Sequence, residues 1–242
     1  MKLIEFILSA MAALVALTLH EYAHGYAAYR LGDDTAKSMG RLSLNPIHHI
    51  DPFGALCLIL FHFGWAKPVP IDPRNFENPK KGFAISALAG PFTNLVLGFI
   101  TTFIYVLCAN TFVITDSAFV NSIEKFTLLF LIYFFSINIG LAIFNLIPVP
   151  PFDGSRILNI ILPEKWYFKV MRYERQIYFG VIGWLFLGQF VYEALIAIPF
   201  IGNSSFLSGL FKIFSLSDIL SDTITAITRG LINMWSALPF FR

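Results

Sequence analysis

The sequence predicts an all-α polytopic membrane protein. It should have about four transmembrane helices, a short re-entrant or extended segment, and a C-terminal interfacial amphipathic helix. Three observations carry this: an apolar excess, long charge-free runs, and a tail whose apolar residues recur at helical spacing. The chain is 57% hydrophobic and 13% charged, with a mean hydropathy of +0.70. Soluble domains hold about 45–50% apolar and about 25% charged residues. The 27 Phe side chains point the same way, since they face lipid at no cost.

The 242 residues fit one compact bundle. The net charge of +2 comes without a basic run, so no nucleic-acid partner is expected. Cys57 and Cys108 both sit in apolar stretches, which provides neither a disulfide framework nor a cysteine metal site.

A membrane crossing needs roughly 20 mostly apolar residues. Leu3 to Leu19 is apolar except for Glu5 and runs on helically. Phe83 to Ile114 is a second run, without charge, and Phe126 to Pro150 a third. Ile177 to Ile201 is a fourth, interrupted by Glu193. Asp51 to Trp65 is shorter and flanked by Pro52 and Gly64, which suits a re-entrant segment better than a full crossing. From Ser217 to Trp235, Leu220, Ile224, Ile227, Leu231 and Met234 share helical spacing with polar residues between them. That pattern predicts a surface helix, with a fifth crossing as the alternative. Residues 1–165 form the expected catalytic core, and 166–242 add a further transmembrane helix and the amphipathic segment. Lys2 and the apolar stretch after it would also suit a signal peptide, but cleavage there would destroy the helical turn discussed next.

Lys and Arg crowd the loop from Arg30 to Lys81 and the stretch from Arg156 to Arg175. The turn from Thr115 to Lys125 carries only Lys125. The positive-inside bias therefore puts the two basic regions in the cytoplasm and the N-terminus outside.

His20-Glu21-Tyr22-Ala23-His24 matches H-E-x-x-H. Histidines four apart share a helix face, so both imidazoles can bind one tetrahedral zinc. The glutamate between them projects near the metal's open position, where it can take a proton from water. The motif ends an apolar helix, where ionisable groups are costly and usually functional. A catalytic zinc needs a third protein ligand and an open fourth position. At the end of the third run, Pro148, Pro150 and Pro151 break the helix just before Asp153 and Gly154. Irregular backbone at that depth must be buried or line a wet cavity, so Asp153 is the candidate third ligand. The alternative is an Asp that merely caps the next helix. His20 and Asp153 fall on the same, cytoplasmic, side by the charge rule alone.

With these residues in view, the chain resembles the site-2 proteases, polytopic zinc metalloproteases that cleave substrates within the membrane. The resemblance covers most of the first 160 residues. It rests on HEYAHGYAAYRLGD (His20 to Asp33), GRLSLNPIHHIDPFG (Gly40 to Gly54), GWAKPVP (Gly64 to Pro70), AGPFTN (Ala89 to Asn94) and NLIPVPPFDG (Asn145 to Gly154). It is to the compact branch without PDZ or CBS domains, and Phe152 stands where Leu is commoner. The resemblance implies that His20, His24 and Asp153 ligate one zinc per chain and that Glu21 is the catalytic acid/base. It implies that Asn145 lies near the site, placed to polarise the scissile carbonyl, with Asn94 similarly placed; for both, bridging helices by hydrogen bonds is the alternative. His49 is expected in support of the site rather than on the metal, while His48 and His62 carry no assignment.

The expected function is hydrolysis of peptide bonds in or near transmembrane segments of membrane-protein substrates, in a multi-pass protein of the cell membrane with its site toward the cytoplasm. The stretch from Trp65 to Phe76, with Pro68, Pro70 and Pro73, reads as extended chain. It is either a rigid loop or an edge to which unwound substrate adds a strand. A non-catalytic relative that binds membrane segments, or a zinc-handling membrane protein, are the competing readings. The oligomeric state, homo-oligomer included, is left open by the sequence.

Overall fold

The structure is a computed structural model that describes residues 2–61, 65–112, 116–212 and 215–239. His62 and Gly64 lie outside the described residues. Helix α1 (Lys2–Arg30) carries the first apolar run and continues through both histidines. After the short α2 (Thr35–Ser38) the chain makes a 3-10 turn at Pro46–His49 and enters α3 (Pro52–Phe61). The Asp51 carboxylate caps α3 by accepting from the Gly54 N–H at 2.8 Å. The chain then returns beside its own entry: Ile50 and Ala66 form an antiparallel bridge, and the Lys67 N–H donates to the His49 carbonyl at 2.8 Å. The residues that flank the shorter apolar segment are thus held side by side.

Helix α4 (Pro79–Thr111) begins with Pro79 at its first turn and an Asn78 cap, the arrangement that supplies orphan N–H groups with an acceptor. Helix α5 (Ala118–Asn145) starts at the Ser117 cap and stops before the prolines. Then follow α6 (Gly154–Ile161), α7 (Glu164–Arg172), α8 (Glu174–Ile196), α9 (Pro199–Gly202), α10 (Ser205–Phe211) and α11 (Leu216–Ser236). Among the described residues, α1, α4 and α5 are the three helices long and apolar enough to cross a membrane. The chain is thus an all-α, multi-pass membrane protein.

These three helices pack on one another and form the core. Small residues set their approach: Ala12, Ala16, Ala84, Ala87 and Ala142 are buried, and a Cβ on Gly98 would sit 2.8 Å from Ile139. Lipid offers no hydrophobic drive between helices, so close packing and interhelical hydrogen bonds hold them. The opposite face of α4 exposes Leu88, Phe92, Leu95 and Ile100, a surface suited to acyl chains. Helix α11 lies along α4 and α5. Its Trp235 ring packs on Phe99 and Phe103 at 4.8 and 5.0 Å, and Ile224 faces Gly140. The apolar stripe expected at the membrane surface finds helix partners along the bundle.

Candidate metal centre and active site

His20 and His24 lie one turn apart on α1, both buried. Their Nε2 atoms are 3.0 Å apart. Asp153 Oδ2 is 3.2 Å from each. Ligands at about 2.0–2.1 Å from a tetrahedral zinc stand roughly 3.3 Å from one another. The edges of the triangle, 3.0, 3.2 and 3.2 Å, come close to that. Among the described residues it is the one group of three His, Cys, Asp or Glu side chains able to share a metal.

The outward nitrogens are spoken for. His20 Nδ1 donates to the side-chain oxygen of Asn94, and His24 Nδ1 to the Ser86 carbonyl at 2.7 Å. With the ring protons held there, each Nε2 presents a lone pair to the centre. That is the tautomer a metal-ligating histidine needs. Three electron-rich atoms facing one another at van der Waals distance suit a cation between them, so the residues fit a metal such as zinc.

The AGPFTN segment explains this seat. A Cβ on Gly90 would lie 2.5 Å from His24 Nε2 and 2.7 Å from His20 Cε1, so only glycine lets the imidazoles rest on α4. One turn later Asn94, fully buried, reaches His20. Its amide donates onward to Asn138 Oδ1 on α5 at 2.7 Å, and Asn138 donates to the Phe134 carbonyl at 2.7 Å. The chain His20–Asn94–Asn138 thus pins all three crossing helices together at the ligand.

Asp153 arrives by a different route. It stands at the start of α6, yet its side chain makes no capping bond, so the capping alternative does not describe it. Gly154 allows a close pass, since a Cβ there would meet the Leu146 carbonyl at 2.3 Å. Phe152 is buried against Phe144, ring centroids 4.3 Å apart.

Glu21 is half-buried beside the triangle, and its Oε2 accepts from the Val69 N–H at 2.8 Å. Asn145 is the last residue of α5, half-buried. Among the described residues its amide joins none of the hydrogen bonds that support the ligands. His49 is fully buried but donates from Nε2 to the Ser43 carbonyl at 2.7 Å, and His48 lies against the Gly40 carbonyl. Neither belongs to the triangle. A cavity of about 740 Å³ opens between α1, α5 and α11, lined by Leu14, Leu17, Ala55, Gly140, Phe144 and Ile224 among others.

Sequence reasoning missed Asn138 and Val69. An amide inside the charge-free run of α5 was a usable signal for the first, because polar groups at membrane depth need partners. Nothing in the pattern pointed to a backbone N–H as the partner of Glu21.

The sequence profile of peptidase family M50 matches residues 8–187. The chain is 42% identical over 150 residues to the protein YwhC of Bacillus subtilis, covering 62% of this chain and 67% of that protein. It is 30% identical over 160 residues to Rip2 of Mycolicibacterium smegmatis, covering 64% of this chain and 57% of that one. It is 26% identical over 152 residues to zinc metalloprotease MJ0392 of Methanocaldococcus jannaschii, covering 63% and 33%. No solved structure matches the chain significantly. This chain belongs to peptidase family M50, the zinc metalloproteases of the site-2 protease type, and its enzyme class is metalloendopeptidase.

Proposed function

We propose that the protein is an intramembrane protease in which His20, His24 and Asp153 hold one zinc per chain and Glu21 is the general base and acid. The observation that carries this is the triangle of Nε2, Nε2 and Oδ2 atoms with both Nδ1 protons already spent. A bound zinc would lower the pKa of its water to about 7 and polarise the scissile carbonyl. Glu21 accepts the proton of the attacking water and later returns it to the leaving amine. Its Oε2 is occupied by Val69, so the other carboxylate oxygen does this work. Asn145 donates to the carbonyl oxygen as charge develops there.

The substrate is a membrane-protein segment that unwinds locally, since a helical peptide bond is shielded and already hydrogen-bonded. The cavity between α1, α5 and α11 supplies apolar walls beside α1 just ahead of His20. Helix α8 serves as a fourth crossing, and the basic loops place the site toward the cytoplasm of a cell membrane. The test is cleavage of a membrane-anchored reporter by detergent-purified protein with added zinc. Glu21→Gln should slow it about 100- to 10,000-fold. Full residual activity would end the role of Glu21. Zinc binding by a wild type that cleaves nothing would favour a non-catalytic relative.

A further inference from the structure

A strap of chain from Lys67 to Phe76, ending in a 3-10 turn at Pro73–Asn75, crosses from α1 to the start of α4, and it is fastened at three places. At its near end the Arg41 guanidinium donates to the Lys67 and Pro68 carbonyls at 2.8 and 3.3 Å. At its far end the Asp33 carboxylate, completely buried, accepts from the Asp72 N–H and the Asn75 amide, each at 2.8 Å. Phe76 closes it, buried so tightly on α4 that a Cβ on Gly82 would lie 2.4 Å from its ring.

Asp33 is itself placed by α1. Gly32 takes a φ of +105°, which lets the chain turn as the helix ends. Thr35 then adds its N–H to the same carboxylate at 3.1 Å. Between the fastenings, Val69 is buried against α1, its Cγ1 3.0 Å from where a Gly25 Cβ would be. Pro68 and Pro70 carry no N–H, so Val69 holds the one amide of that tripeptide, and it is spent on Glu21.

We propose that Asp33 and Arg41 are positioning residues for Glu21, staking the strap so that the Val69 N–H holds one carboxylate oxygen and leaves the other free toward the metal centre. The inference rests on the protease reading of the same site. A glutamate has several rotamers, and a small misplacement of a reacting group lowers rate steeply. The strap selects one orientation, and among the described residues none of these hydrogen bonds goes to a metal ligand.

The experiment uses the full-length, zinc-loaded protein in detergent, comparing wild type with Asp33→Ala and Arg41→Met. Hydrogen exchange is read residue by residue across Pro68–Asp72, so that the Val69 N–H is followed apart from that of Asp72, which Asp33→Ala frees directly. Zinc content and kcat and KM on a membrane-anchored reporter are measured on the same samples. We expect Val69 exchange to speed up about fivefold or more in both variants. Zinc content should hold, kcat should fall about 10- to 100-fold, and KM should stay within about threefold. Unchanged Val69 exchange would overturn the proposal, as would faster exchange with an unchanged kcat, or loss of zinc in either folded variant. If one variant fails to fold, the other carries the test. A wild type that binds zinc but cleaves nothing defeats the protease reading, and the exchange arm alone then decides whether Asp33 and Arg41 stake the strap.

Discussion

The helices up to Ile161 and those after Leu162 are joined to the bundle by different means. Buried polar side chains cross the α1–α4 and α4–α5 interfaces: His20 to Asn94, His24 to the Ser86 carbonyl, and Asn94 to Asn138. The later helices meet the rest through aromatic packing, as Trp235 does on Phe99 and Phe103, or through partly exposed ion pairs such as Arg156 with Glu174 at 2.6 Å. Hydrogen bonds between polar groups fix orientation to fractions of an ångström, and apolar contact does not. The chemistry accordingly sits where the polar pins are.

Changes in the first region should strike the metal, and changes in the second should strike stability alone. The largest effect is expected for Gly90→Ala. Its Cβ would displace both imidazoles, so zinc affinity should fall about a hundredfold or more, with activity following. Zinc titration of the purified variant checks this. Asn94→Leu removes the acceptor of the His20 proton and should cost about 10- to 100-fold in zinc affinity. Asn138→Leu, one bond further out, should cost less than Asn94→Leu in the same titration. If the two are equal, the relay does not act outward from the ligand.

Trp235→Ala should destabilise the protein by about 1–3 kcal/mol while zinc stays bound. Thermal melting in detergent with and without chelator would show it, and loss of zinc at ambient temperature would blur the contrast between the regions. The smallest effect concerns acid. Burial pushes the Asp33 carboxyl up, but donors from Thr35, Asn75 and Asp72 outweigh it and hold the group below its ordinary value. A depressed carboxylate adds stability that is fully present above its unfolded pKa of about 3.9 and is lost as pH falls through the lower folded value. The melting difference between wild type and Asp33→Asn should therefore be constant near neutrality and shrink below about pH 4.

Much of this was legible in the sequence. The crossing helices announce themselves because a run such as Phe83 to Ile114 has no charge to reconcile with water. The histidine pair announces itself because four-residue spacing is a helical fact. Asp153 needed the proline break to single it out. The role of Gly90 was hidden because the sequence shows a missing side chain without showing what fills its place. Val69 was hidden for a similar reason: its contribution is a backbone N–H that every residue but proline carries. The packing of α11 along α4 and α5 was illegible because an apolar helical stripe serves lipid and protein equally well.

The most direct test counts zinc. Elemental analysis of detergent-purified protein should find about one zinc per chain in the wild type and in Glu21→Gln, and close to none in Asp153→Ala. A full complement of zinc in Asp153→Ala would contradict the account, because residues from α1 and from the turn after α5 would then not share one ion.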